Sequence, residues 1–138
     1  MQLNKALPAM VLVFAWNLLF DNFLLGITMG SAMAQIPGMT GEFSMLWQTV
    51  GNVFSAIVLV WVYDRVRGAF ATGLSGGAFF GFYAGVLINF PTWLYMTVYA
   101  GWPYRPTWHA TLVLTLSTVV AGALAGLAYE RLGRGKAA

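Results

Sequence analysis

Asp21 is an acid set inside a long apolar run, with Asn17 four residues before it and Asn22 beside it. A second polar pair, Gln48 and Asn52, has the same spacing inside another apolar run. Side chains four apart lie on one face of a helix. A carboxyl group surrounded by hydrocarbon is expensive, and it marks either a functional site or an interhelical contact. Such a group can exchange a proton, hold a cation, or clamp helices through hydrogen bonds. Counted inward at about 1.5 Å per residue from Pro8 and from Tyr63, Asn17 comes level with Asn52, and Asp21 with Gln48. Tyr83, Ser117 and Thr118 reach a similar depth. The expected site is therefore a polar cluster of Asn17, Asp21, Gln48, Asn52 and Tyr83, with Arg105 and His109 as further candidate partners of Asp21.

Other chemistry is sparse. The chain has no cysteine, which excludes disulfides, thiolate metal sites and thiol catalysis. Its single histidine, His109, excludes a site with two histidine ligands in one chain. There is no HExxH pair and no phosphate-binding glycine loop. No metal or cofactor is expected. Met29, Met33, Met39 and Met45 bear thioethers, but their irregular spacing suits flexible packing better than a copper site.

The elements that must carry these residues follow from composition. Of 138 residues, 59% are hydrophobic, 16% aromatic and only 8% charged. A soluble domain carries about 25% charged residues, so the chain belongs in a bilayer. A helix needs about 20 apolar residues to cross the hydrocarbon core. Four stretches qualify, at about 8–29, 45–63, 70–93 and 107–129, with Pro8 expected at the start of the first helix. The segments are too long and too weakly alternating for barrel strands. The expected fold is all-α, a single polytopic domain of four transmembrane helices. A loop is expected at 30–44, a tight turn at 64–69 and a loop at 100–106.

Basic residues set the orientation. Lys5, Arg65, Arg67, Arg131, Arg134 and Lys136 fall on one side, and only Arg105 falls on the other. The positive-inside rule then places both termini in the cytoplasm, in a bacterial cytoplasmic membrane. The same distribution argues against nucleic acid as a partner. Lys5, an apolar run and Ala32-Met33-Ala34 have the outline of a signal peptide. The run is long for that role, and Asp21 and Asn22 interrupt it, which favours a retained span.

Two internal echoes stand out. Tyr63-Asp64-Arg65 and Tyr129-Glu130-Arg131 both end an apolar span. The chain reads either as two copies of a helical hairpin or as one boundary signal used twice. Gly77, Gly81 and Gly85, with Gly73 before and Asn89 after, are spaced four apart, and Gly122 and Gly126 answer them on the fourth span. Helices in lipid associate through small residues, so Gly77, Gly81, Gly85, Gly122 and Gly126 are the expected packing faces, together with Gly51 and Ser55 on the second span. Pro91 is expected to bend the third helix. The aromatics at 93–108 suit a headgroup-level belt, or else a platform for a lipid, quinone or pigment.

The expected function is that of a non-enzymatic membrane protein, self-associating or serving as a subunit with other membrane chains. A small-solute or ion transporter built around Asp21 is the second reading. An enzyme using Asp21 and His109 as acid and base is the third.

Overall fold

The computed structural model describes residues 3–35, 44–99 and 101–134, without the side chains of Met33, Gly133 and Arg134. Lys136 and Met39 lie outside the described residues. Every regular element among the described residues is helical: α1 (Leu3–Leu19), a π turn (Phe20–Leu24), α2 (Leu25–Met33), α3 (Met45–Val66), a short 3-10 turn (Arg67–Ala69), α4 (Gly73–Met96) and α5 (Tyr104–Arg134). The stretch from Leu3 to Ala32 is one apolar span, and with the helices of the other three stretches it makes four that are long and apolar enough to cross a membrane.

The prolines sit differently from expectation. The first helix begins at Leu3, so Pro8 lies inside it rather than at its start. That position costs the backbone bond to the Asn4 carbonyl. α4 continues through Pro91 to Met96. α5 starts at Tyr104, and Pro106 lies in its first turn, where the backbone N–H has no helical acceptor to lose. Residues 104–106 are therefore helix rather than loop.

α5 is the hub of the bundle. It packs along the whole of α4 and also meets α1, α2 and α3, while α3 leans chiefly on α1. The α4–α5 seam is built backbone against backbone. A Cβ on Gly77 would overlap the Gly122 carbonyl oxygen and come within 2.9 Å of the Gly126 Cα. A Cβ on Gly81 would overlap the Thr118 carbonyl oxygen, and one on Gly126 would overlap that of Gly73. Gly85 continues the seam against Thr115 and Thr118, where a Cβ would sit at 3.1 Å. Asn89 ends this face, 8% exposed. In a solvent without a hydrophobic drive, such approach supplies the dispersion contacts that hold helices together.

The other face of α5 carries small residues of a second kind. Ala121, Ala125, Ala128 and Tyr129 join Ala6, Ala9 and Val13 of α1 and Ala56, Leu59, Val60 and Tyr63 of α3 in one buried cluster. Gly51 and Ser55 do not take part as expected. Both are exposed, and a Cβ on Gly51 would meet nothing within 4 Å. Their helix face is turned away because Ala56, Leu59, Val60 and Tyr63 form the buried stripe of α3.

Thr107, Thr111 and Thr115 form a buried stripe on α5. Each hydroxyl donates to the carbonyl one turn back: Thr107 to Pro103 at 2.7 Å, Thr111 to Thr107 at 2.9 Å, and Thr115 to Thr111 at 2.7 Å. The stripe is thus satisfied by its own helix, as buried hydroxyls in a membrane must be.

Candidate functional site

The π turn places the intramembrane acid. Its defining bond is the Leu25 amide donating to the Phe20 carbonyl, five residues back. The extra residue in the turn lets Asp21 face α3, and Asn52 Nδ2 donates to Asp21 Oδ2 at 2.8 Å. The neighbouring Asn22 Nδ2 donates to the Leu18 carbonyl at 2.8 Å, occupying an acceptor just before the irregular turn. Turns of this kind recur at functional sites.

This pairing corrects the expected register. Asp21 meets Asn52, one turn away from the anticipated Gln48. Asn17 and Gln48 are both half-buried, and neither side chain makes a hydrogen bond among the described residues. The expectation assumed that helix ends lie at equal depth. The register is set instead by the packing of Ala6, Ala9 and Val13 in one core with Ala56 and Val60. Tyr83 stands apart from the cluster. It is 57% exposed, and its ring packs with Phe70 and Phe82 on the outer face of α4.

The remaining polar residues of this depth go to two other interfaces. Trp16 Nε1 donates to both the carbonyl and the hydroxyl oxygen of Ser117 at 3.0 Å, tying α1 to α5. Asn89 Nδ2 reaches Thr118 Oγ1 at 3.5 Å across the glycine seam. The anticipated single cluster is therefore three separate interhelical contacts. Trp16 carries no distinguishing signal in the sequence, where an indole on an apolar face looks like any other aromatic. Arg105 and His109 are exposed near the start of α5, and among the described residues Asp21 forms no ion pair.

The aromatic stretch at 93–108 packs largely among itself. Tyr95 meets Tyr99 edge-on, Trp108 meets both Phe90 and Tyr104, and Trp102 Nε1 donates to Thr107 Oγ1 at 2.9 Å. Gly73-Leu74-Ser75-Gly76-Gly77 also has the G-x-S-x-G spacing of a nucleophile elbow. Ser75 is exposed in the first turn of α4, which follows a 3-10 turn rather than a strand. His109, near the start of the antiparallel α5, is at the opposite end of the bundle, so the spacing carries no nucleophile–base pair.

The second built site lies at the end of the bundle that carries most of the basic residues. Tyr63 and Tyr129, the first residues of the two Tyr–acid–Arg echoes, are 2% and 5% exposed, and their rings meet edge-on at 5.6 Å. Phe80 packs on Tyr63, and Phe70 packs on Phe80. The Arg67 guanidinium stacks over the Tyr129 ring at 5.2 Å and lies 3.6 Å from Asp64. The Tyr129 hydroxyl lies beside Asp64, yet this hydroxyl and Arg67 Nε are both buried outside hydrogen-bond geometry with any partner among the described residues. The Glu130 carboxylate rests on Gly73, the first residue of α4. Gly73 has φ +76°, so a side chain there would be both strained and blocked. A carboxylate at a helix N-terminus meets its unpaired amides and the positive end of its dipole. Arg67, Thr72, Gly73, Tyr63, Tyr129 and Glu130 line a cleft of about 70 Å³ between these elements.

Among the described residues, no three histidine, aspartate or glutamate side chains converge on a point that would hold a metal ion. Comparison with family models, with curated proteins and with solved structures finds no match to this chain.

Proposed function

We propose that the chain is a non-enzymatic integral membrane protein that works by association, with itself or as a subunit beside other membrane chains. Both termini face the cytoplasm of a bacterial cell, following the six-to-one split of basic residues. The observation that carries the reading is how the small residues are shared out. Gly77, Gly81, Gly122 and Gly126 are spent inside the chain on the α4–α5 seam. Gly26, Gly30 and Gly51 have nothing within 4 Å of a Cβ position, on an α1–α3 arm that turns Ile27, Phe23, Trp47 and Phe54 outward. Association through small residues then falls to α2 and α3 rather than to the glycine runs of α4 and α5. Native-membrane purification followed by mass spectrometry tests it. A defined self-oligomer or stable membrane partners, weakened by Gly30→Leu, is the expected result. A lone chain without partners overturns the reading.

A second reading is favoured by one observation: Asp21 sits in a π turn and is held by Asn52. In this reading the pair couples a proton or a cation to the movement of a small solute. Asp21→Asn in liposomes then abolishes coupled flux while the helical content is kept. Flux that persists unchanged removes Asp21 from any transport role. The two Tyr–acid–Arg echoes support duplication of a helical hairpin, since their tyrosines meet face to edge at one end of the bundle. The two hairpins have since diverged, with α4–α5 closed by glycine and α1–α3 joined by larger side chains.

A further inference from the structure

From Asn17 and the groove between α1 and α3, we infer that a second copy of this chain docks on the α1 face. The two copies share one orientation in the membrane and are related by a two-fold axis along its normal. Their Asn17 carboxamides bond to each other near the midplane. The inference rests on the association reading and adds the partner and the residue that sets its register.

Asn17 is the polar side chain left over. Asn22, Asn52 and Asn89 each find an acceptor within the chain, and the neighbouring Trp16 is turned to Ser117. With Asp21 on Asn52 in antiparallel helices, Asn17 falls level with Ala56, a buried residue whose methyl group offers no hydrogen bond. The Asn17 carboxamide is half-buried, unpartnered among the described residues, and not sealed within the chain. It lies twelve residues past Lys5, about 18 Å along the helix, close to the middle of a hydrocarbon core of about 30 Å. No water reaches that depth and lipid tails offer no partner, so another protein chain must complete it.

Polar complementarity and depth select a second copy. The same basic residues orient every copy, so identical residues stand at identical depth. A carboxamide donates and accepts at once, so one Asn17 completes the other. The apolar surroundings fit as well. Leu7, Met10, Phe14, Asn17 and Asp21 alternate in steps of three and four, the period of a two-helix seam, in which a single polar position fixes partner and register. Met10, Val11 and Phe14 line an open groove of about 180 Å³ with Val53, Ala56 and Ile57 of α3. Leu7 and Val11, one turn apart and both exposed, supply the aliphatic side chains that fill the groove of the other copy. At the last seam position the π turn aims Asp21 at Asn52, which keeps two like acids from facing each other.

The test uses the full chain in bilayers, where the lack of native cysteine allows single-cysteine cross-linking. Leu7→Cys, on the seam, should form a disulfide-linked pair of chains under mild oxidation. Leu116→Cys, exposed on α5, should not. Energy transfer between labelled copies should show Asn17→Ala weakening the pair about fivefold to tenfold, the worth of two carboxamide bonds in a membrane. Asn17→Gln, which keeps the carboxamide, should lie between Asn17→Ala and the parent. In micelles dilute enough to separate the copies, Asn17→Ala should unfold at the parent's midpoint, which shows an intact fold. Cross-linking through Leu116→Cys and not Leu7→Cys overturns the inference and leaves the association reading standing. Stable partners of another sequence without self-cross-linking do the same. Pairing through Leu7→Cys that Asn17→Ala leaves unchanged overturns the role of Asn17. A lone chain overturns both the inference and the association reading.

Discussion

Single side chains decide where polar chemistry is tolerated in this bundle. Asp21, Trp16 and Asn89 each reach a partner on another helix, and each serves a different interface. Interhelical hydrogen bonds in membranes are modest, about 0.6 kcal/mol on average. Trp16→Phe removes a donor shared by two Ser117 oxygens and should lower stability by about 1 kcal/mol, read from denaturant unfolding of the protein in mixed micelles. Asn17→Ala removes no hydrogen bond seen in the structure and should leave the midpoint nearly unchanged. A loss at Asn17 equal to that at Trp16 would contradict the separate-contact description. Asn52→Leu leaves the half-buried Asp21 facing a hydrocarbon group and should cost more than Asn52→Gln, which keeps an amide donor, since an unmet acid carries its own desolvation cost.

Helices pair here by two different rules. α4 and α5 approach so closely that the Gly77 and Gly122 backbones touch, and there is no room for a methyl group. Gly122→Ala should destabilise by about 1–3 kcal/mol, the range for forcing extra volume into a packed core. Gly51→Ala, at an open position, should be neutral or stabilise by up to about 1 kcal/mol through helix propensity. Unfolding titrations of the two variants side by side check this, and a similar cost for both would refute the seam. The glycine periods were plain in the sequence, because four-residue spacing is a property of any helix. Which glycines faced a helix and which faced lipid was not plain. Gly26 and Gly30 have the same spacing as Gly77 and Gly81, yet only the second pair is covered.

The molecule as a whole has a tight half and a looser half. α4 and α5 share one continuous seam, while α1 and α3 join through alanines and larger side chains and, among the described residues, one polar bridge. Hydrogen exchange should therefore be slowest in the α4–α5 hairpin and faster along α3, measured by mass spectrometry in bilayer nanodiscs. Equal protection of the two would contradict this asymmetry. Because the chain has no native cysteine, single substitutions Ala69→Cys and Gly101→Cys can be labelled from either side of sealed vesicles. The two should label from opposite sides, with Ala69→Cys on the cytoplasmic side.

The number of helices long and apolar enough to cross a membrane, and their approximate limits, were legible in the sequence alone. Those properties depend on hydrophobic length, which is a local sum over residues. The helix ends shifted by several residues, because prolines are tolerated in a first turn and at a cost elsewhere. Only the tertiary structure decided that Asp21 meets Asn52 and not Gln48, that Tyr83 faces outward, and that Tyr63, Arg67, Tyr129 and Glu130 enclose one cleft. The physical reason is that register and facing come from side chains packing across helices. A π turn adds a residue, a core of alanines sets the slide, and neither effect can be summed along a single helix.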